Sequence, residues 1–375
     1  MKKLTVLGDG ISSMLAVNYF NYHTDWEIEC LTIPGMLKWN VGVSCALDTP
    51  FSLKNINYLD IEKFNANLKL GIYKKNFNNK DYFQSYELSN ASIQFNSVDF
   101  TNYLKEINNI TYKEVPNYDD IDTDFLFDAA GIPKLNDNYI TVDSIPVNKA
   151  LGIRVPHDHA PFMYTVIKAM NHGYISMIPT AKELFVTYIH NSDISTEDEI
   201  LEDLSKEFPV STYQVLPFKN YYRKIPFKGN TVYGGNKNFF IEPFEGTSLT
   251  GLNLTLREAY NLWTNNPVFN ANVLRNYLDE AIDIVMMHYL SNKNKDTKFW
   301  NYANQKATEH FKTKVSKDFK DRYLNLISPQ VQYKLSHFYN QRMFKENLDY
   351  LNIKDDLYNF FREWSSTIFF ISILP

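Results

Sequence analysis

Short apolar runs that end in glycine alternate with helical patterns at the start of the chain. Residues 3–7 (KLTVL) are an apolar run that stops at Gly8, which is typical of a buried parallel strand. Apolar residues recur at helical spacing over residues 14–20, and residues 26–33 (WEIECLTI) alternate as a second strand does. This order predicts a strand–helix–strand unit.

The pattern downstream predicts a mixture of strands and helices. Residues 64–73 alternate as on a sheet face, and residues 98–106 have helical spacing behind a cap at Asn96. The later predictions, in order, are a strand within 124–131, a short strand at 140–142, a hairpin of 173–179 with 183–189, an exposed helix at 195–207, a strand within 230–235, a turn into a helix within 243–256, and mostly helices after 256.

The first glycine turn has the form of a nucleotide-binding loop. Gly8 permits a tight turn, Gly10 lets the backbone approach a diphosphate, and the following helix points free N–H groups at it. Ser13 replaces the third glycine of the usual pattern, and Thr32 stands where an acidic ribose ligand is common. A generic strand–turn–helix corner would have the same outline.

Two later strands also end in small residues. Asp128 to Gly131 (DAAG) closes one strand, and Gly235 lies in the turn after another. The carboxyl ends of parallel strands meet at one edge of a sheet, so we expect one crevice there.

Charge and cysteine content narrow the class of protein. The chain has 375 residues and a net charge of -5, which argues against a nucleic-acid partner. Two cysteines fit a reducing, cytoplasmic location, and no run is long and apolar enough for a membrane span. His157 and His159 have no clustered partners in the sequence, so we expect no metal site. The apolar segment 366–375 permits a homo-oligomeric contact.

Seven segments, taken in order, resemble the flavin-dependent halogenases of the tryptophan-halogenase superfamily. They lie within residues 8–16, 40–44, 67–72, 128–131, 145–150, 173–179 and 230–247. The resemblance is specific as an ordered set, and the departures noted below are typical of a divergent or viral member. The last third of the chain matches no segment of the family pattern.

The resemblance implies an α/β (α+β) chain with a Rossmann-type FAD-binding fold, a substrate-side sheet and a helical C-terminal region. We expect residues 1–255 to form the FAD-binding halogenase core and residues 256–375 the helical region. The expected cofactor residues, besides those of the glycine turn, are Val43, Asp128, Gly131 and Gly235. A separate flavin reductase would supply FADH2, and oxygen with chloride, bromide or iodide would give hypohalous acid.

The resemblance also implies roles for two catalytic residues. Lys69 matches the family's essential lysine, which holds hypohalous acid beside a small aromatic substrate by a hydrogen bond or as a haloamine. Glu245 matches the carboxylate that takes the proton from the arenium intermediate, and we prefer it to its neighbour Glu242. Without the resemblance, Lys69 would be interpreted as a solvated strand lysine.

Four further residues are assigned to halide and substrate. Thr247 and Ser248 fall where family members bind halide, largely through backbone N–H groups. Tyr86 lies where relatives place aromatic residues around the substrate. Tyr174 and Ser176 replace two tryptophans of a family signature, and we expect Tyr174 to contact substrate.

Two alternatives stay open. The missing tryptophans leave room for an FAD-dependent aromatic monooxygenase, in which Lys69 would be dispensable. A non-catalytic flavoprotein or interaction protein descended from the enzyme is the second alternative, since fold alone does not establish function.

Overall fold

A computed structural model describes residues 1–33, 40–46, 58–77, 81–85, 92–114, 121–158, 160–292 and 296–314. For a few of these residues, Glu245 among them, the description covers the backbone only. Within this part of the chain, four β-sheets and six α-helices form a mixed α/β fold.

A six-stranded sheet carries the N-terminal unit. Its order is β17-β18-β9-β1-β2-β8, and the pairs β8/β2, β2/β1, β1/β9 and β9/β18 are parallel. The strands are β1 (Lys3–Leu7), β2 (Glu27–Thr32), β8 (Tyr112–Glu114), β9 (Phe125–Asp128), β17 (Phe227–Lys228) and β18 (Thr231–Tyr233). The carboxyl ends of β1, β9 and β18 therefore lie side by side.

A seven-stranded sheet forms the second layer. Its order is β15-β11-β14-β13-β12-β5-β6, antiparallel except for the pair β5/β12. The strands are β5 (Gly71–Lys75), β6 (Tyr82–Ser85), β11 (Lys149–Pro156), β12 (Thr165–Met170), β13 (Gly173–Pro179), β14 (Glu183–His190) and β15 (Gln214–Pro217). β13 and β14 form the predicted hairpin.

Two three-stranded sheets complete the strand content of the described residues. One has the order β3-β7-β4, with β3 (Gly42–Ala46), β4 (Ala66–Lys69) and β7 (Ser92–Asn96). The other has the order β10-β16-β19, with β10 (Tyr139–Thr141), β16 (Tyr221–Arg223) and β19 (Phe239–Phe240).

Capping residues precede two of the described helices. The helices are α1 (Ile11–His23), α2 (Ser97–Ile107), α3 (Glu197–Ser205), α4 (Thr247–Trp263), α5 (Val273–Ser291) and α6 (Lys298–Lys314). The Asn96 side chain accepts from the N–H groups of Val98 and Asp99, which confirms the predicted cap of α2. α3 begins with a capping box formed by Thr196 and Glu199.

The core is divided between the two large sheets. One buried cluster joins β1, α1, α2 and α4, and includes Leu256, Ala259 and Trp263. A second cluster joins the inner face of the seven-stranded sheet to α5 and α6.

α4 runs without a break through position 255, where we placed the end of the core domain. No helix among the described residues is long and apolar enough to cross a bilayer.

The prediction of one strand over residues 64–73 is wrong in detail. A 3-10 helix (Tyr58–Phe64) ends where that strand was expected to begin, and Asn65 has a positive φ of 51°. β4 and β5 then belong to different sheets, and between them the Leu70 N–H donates to the Met163 carbonyl. The chain leaves one sheet for the other at this point, which alternation alone does not reveal.

Candidate active site

One cavity of about 380 Å³ joins the two large sheets. One side is formed by the turns after β1, β9 and β18, and the other by residues of β3, β4, β5, β12 and β13. α2 and the turn before α4 close the remaining sides. The predicted crevice at the carboxyl edge of the parallel sheet is part of this cavity.

The glycine turn after β1 is shaped by close packing at Gly8. Gly8 has a φ of 117°, and a Cβ there would lie 2.7 Å from the Ala129 carbonyl oxygen and 2.6 Å from Ser13 Oγ. Ser13 is buried against this turn, so its small size serves helix–strand packing as the sequence indicated.

Gly10, in contrast to Gly8, is not crowded by neighbouring atoms. A Cβ at Gly10 would meet no atom within 4 Å, and the residue lines the cavity at the start of α1. Ile11 and Ser12 of the first turn of α1 also line the cavity. A helix N-terminus with its free N–H groups suits the diphosphate of a dinucleotide.

The other two strand ends approach the cavity as predicted. Gly131, with a φ of 63°, and Gly235, with a φ of 53°, both line it. Asp128 is buried, and its Oδ1 accepts from the Ala130 N–H at 3.0 Å, so the carboxylate shapes the turn that precedes Gly131.

α2 presents a polar face to the cavity. Ser97, Thr101, Asn102 and Lys105 line it from successive turns. Val43 lines it from β3. Sequence reasoning missed the α2 face, although the spacing of these residues at 97, 101 and 105 is a readable signal. Backbone groups, small residues and this face together fit FAD.

Lys69 lies in the cavity at the end of β4. The side chain is 6% exposed, and its Nζ donates to Ser44 Oγ at 3.1 Å. The interpretation as a solvated strand lysine is therefore wrong. Ser44 was not singled out from the sequence.

Neighbouring polar groups hold this strand in place. Gln94 on β7 is fully buried, and its Nε2 donates to the Leu68 carbonyl at 3.3 Å. The Thr165 hydroxyl donates to Gln94 Oε1 at 3.2 Å, and Thr165 also lines the cavity. The backbone that carries Lys69 is thus tied to both β7 and β12.

The turn before α4 has the features of an anion site. Gly246 adopts a left-handed conformation (φ 62°) as the N-cap of α4 and lines the cavity together with Ser248. Thr247 is 4% exposed, and its Oγ1 has no hydrogen-bond partner among the described residues. A helix N-terminus beside an unpartnered buried hydroxyl suits a small anion.

Tyr174 and Ser176 occupy different surroundings although they lie on one strand. Ser176 lines the cavity, so the small residue does leave space there. Tyr174 is fully buried, and its hydroxyl donates to Glu242 Oε2 at 2.8 Å. The structure therefore brings Tyr174 to Glu242, whereas the sequence assigned it to the substrate.

Glu242, directly before the turn that precedes α4, is a fully buried carboxyl group. Tyr174 and Tyr289 both donate to its Oε2 at 2.8 Å, and its N–H donates to Asn220 Oδ1. Complete burial raises the pKa of Glu242 to about 8, although the two tyrosine hydrogen bonds act in the opposite direction. Sequence reasoning considered Glu242 only as a competitor of Glu245.

Two of the predicted site residues are not fully described. Tyr86 lies outside the described residues, as does the side chain of Glu245, whose backbone forms the end of a 3-10 turn (Pro243–Glu245). Within the described ranges, no three His, Cys, Asp or Glu side chains are grouped closely enough to hold a metal ion.

Solved structures of halogenases share this fold. A tryptophan 6-halogenase from Streptomyces toxytricini superposes with a TM-score of 0.71 at 14% identity, over 100% of this chain and 98% of that one. A flavin-dependent halogenase from Xanthomonas campestris gives 0.69 at 13% identity over 98% and 93%, and one from Brevundimonas gives 0.71 at 13% over 100% and 98%.

Sequence comparison agrees with the structural likeness. A tryptophan 7-halogenase from Kutzneria is 25% identical over 170 residues, which are 41% of this chain and 31% of that enzyme. The match therefore spans less than a third of that relative's length. The family model for tryptophan halogenase matches residues 92–348, more than half of the chain. The match extends into the last third of the chain, where we found no segment of the family pattern in the sequence. The chain belongs to the tryptophan halogenase family.

Proposed function

We propose that the chain is a flavin-dependent halogenase of small, electron-rich aromatic or heteroaromatic compounds. The observation that carries this proposal is the single cavity lined both by the glycine turn at Gly10 and by the buried Lys69. Halogenation of a positioned substrate needs a dinucleotide site and a buried amine in the same cavity.

The glycine turns and α2 would hold FAD. Gly10, Gly131 and Gly235 allow close backbone approach, and the N-terminus of α1 offers N–H groups to the diphosphate. When bound as FADH2, the cofactor would react with oxygen, halide and a proton to give FAD, hypohalous acid and water, so that FADH2 and halide would each supply two electrons to oxygen. A separate reductase would deliver FADH2.

Lys69 would hold the hypohalous acid. Its amine, fixed by the bond to Ser44, can donate a hydrogen bond to the oxygen of that acid and so localise the electrophilic halogen. The ring carbon of the substrate then forms a bond to the halogen, while the halogen–oxygen bond breaks and the oxygen leaves as water after protonation. Burial of Lys69 excludes solvent that would compete for the electrophile.

The turn between β19 and α4 would supply the remaining groups. Glu245 would accept the proton that the ring carbon loses when aromaticity returns. Thr247 and Ser248 would bind the halide at the N-terminus of α4, where the Thr247 hydroxyl is buried without a partner among the described residues.

An aromatic monooxygenase is the second candidate function. Ser176 lines the cavity where relatives carry a large aromatic residue, which leaves space for a substrate closer to the flavin. Lys69 would then have no chemical role, so its substitution separates the two candidates.

The test combines FAD, a flavin reductase, oxygen and bromide with a panel of indoles, phenols and azoles, and identifies products by mass spectrometry. Wild type is compared with Lys69→Ala and with Lys75→Ala, because Lys75 lies on β5 with its amine over the Tyr73 ring, away from the cavity lining. Catalase and a reaction without enzyme control for free peroxide.

We expect a brominated product from wild type and Lys75→Ala and none from Lys69→Ala. Oxygenated product that survives Lys69→Ala would favour the monooxygenase. Failure of wild type to bind FAD in either redox state would favour a non-catalytic protein.

A further inference from the structure

Two consecutive residues of α5 hold two alternating residues of the turn that carries Glu245. Tyr289 donates its hydroxyl proton to Glu242, and His288 stacks on Phe244 with a centroid distance of 4.3 Å and an interplanar angle of 11°. All four side chains are at most 3% exposed. The 3-10 turn is thus fixed on both sides of Pro243.

The same helix also reaches the strand that follows Lys69. Lys74 on β5 is 4% exposed, and its Nζ lies 3.1 Å from His288 Nε2. That amine also lies 5.3 Å from the centre of the Phe244 ring. The two nitrogens are within hydrogen-bond distance, and which of them accepts depends on the tautomer of the imidazole.

We propose that Lys74, His288 and Tyr289 are positioning residues that set the distance between Lys69 and the Glu245 turn. Lys69 and Lys74 are five positions apart on consecutive strands, Glu242 immediately precedes the 3-10 turn, and Phe244 lies within it. Because His288 binds Lys74 and stacks on Phe244, a single side chain of α5 connects both halves of the candidate catalytic pair. The inference rests on the proposed function for the roles of Lys69 and Glu245.

The sheet side of the turn is fixed by a matching contact. Tyr174 donates to the same Glu242 oxygen as Tyr289 does, and its ring lies 4.7 Å from Phe244. Phe77 packs on Phe244 at 5.3 Å. The turn is therefore held between β13 and α5, and loss of the α5 contacts leaves it attached on one side only.

The test compares Tyr289→Phe and Lys74→Met with a matched control, Tyr188→Phe. Tyr188 is also fully buried and donates to a buried carboxylate, Asp203, at 2.8 Å, but it belongs to a different core cluster. The three readouts are the FAD dissociation constant, the amide hydrogen exchange of residues 242–250, and the halogenated product formed per flavin oxidised.

For Tyr289→Phe and Lys74→Met we expect amide exchange in residues 242–250 to rise about ten-fold, as loss of one buried hydrogen bond implies. Product per flavin oxidised should fall by a similar factor, while FAD affinity and the rate of flavin oxidation stay at wild-type values. Tyr188→Phe should change neither the local exchange nor this ratio, even where it lowers thermal stability.

Unchanged exchange in both variants, or an equal change in Tyr188→Phe, would overturn the inference. A wild-type protein that makes no halogenated product would overturn the proposed function instead, and the exchange data would still decide whether α5 holds the turn. If Tyr289→Phe does not fold, Lys74→Met decides the question by the same readouts.

Discussion

Lys69 and Ser44 lie on β4 and β3, which flank β7 on opposite sides, and yet Lys69 Nζ is 3.1 Å from Ser44 Oγ. The bond therefore reaches across the width of the central strand and fixes the amine inside the cavity. For Ser44→Ala, we expect the halogenation rate to fall about ten-fold, because removing one partner of a buried hydrogen bond costs about 1–3 kcal/mol. The measurement is kcat for product alongside FAD affinity, which should not change. A Ser44→Ala enzyme with wild-type kcat would contradict this role.

Two glycines of the first turn should respond differently to the same substitution. Gly8→Ala places a Cβ against the Ala129 carbonyl at a positive φ, so we expect a loss of stability of roughly 1–3 kcal/mol. Gly10→Ala meets no neighbouring atom, so the protein should fold normally. Its methyl group would occupy the space that a diphosphate needs, and FAD affinity should fall by about ten-fold or more. Urea unfolding and flavin fluorescence titration measure the two effects. Tight FAD binding by Gly10→Ala would show that the cofactor does not approach this turn.

Thr247→Val tests the anion site independently of the lysine. Valine keeps the shape of threonine and removes a buried hydroxyl that has no described partner, so stability should stay equal or rise by about 1 kcal/mol. The KM for bromide should rise about ten-fold if that hydroxyl helps to bind halide. Thr255→Val on the same helix is the control, since its hydroxyl donates to the Gly251 carbonyl. Equal bromide KM values for all three proteins would place the halide elsewhere.

Glu242 should make stability depend on pH in a specific direction. Burial raises its pKa to about 8 in the folded protein, against the ordinary value of 4.5. Between these values the folded state holds a proton that the unfolded state has released, so its stabilising contribution is complete below pH 4.5 and is lost as pH rises through 8. The slope is at most about 1.4 kcal/mol per pH unit.

In Glu242→Gln this contribution is absent, because the amide does not titrate. The free energy of unfolding, measured with urea at several pH values between 5 and 8, should therefore fall less steeply in the variant than in wild type. Parallel pH profiles for the two proteins would show that Glu242 is ionised in the folded state throughout this range.

The sequence predicts the region around the first glycine turn well, because turn residues and helix caps close together in the chain determine the structure there. β1, the turn at Gly8 and Gly10, and the cap of α2 at Asn96 depend on neighbouring residues and on glycine's conformational freedom. β13 matches its predicted span of residues 173–179, since aromatic and β-branched residues between two turn signals favour a strand.

The parts that were missed depend on contacts between distant segments. No local pattern marks the change of sheet at Leu70, which is fixed by the Met163 carbonyl from a strand connection far along the chain. Ser44 acquires its significance only from Lys69, and Tyr174 meets Glu242 only because β13 and the turn before α4 come together. Burial of Lys74 against His288 likewise joins residues that are 214 positions apart.

The cavity takes two of its sides from different sheets, and this division separates two groups of lining residues. The glycine turns belong to the six-stranded sheet, whereas Ile72, Ile167 and Ser176 line the cavity from the seven-stranded sheet. Under the proposed function, substitutions on the seven-stranded sheet would change which aromatic compound the cavity accepts while the glycine turns that would hold FAD keep their shape.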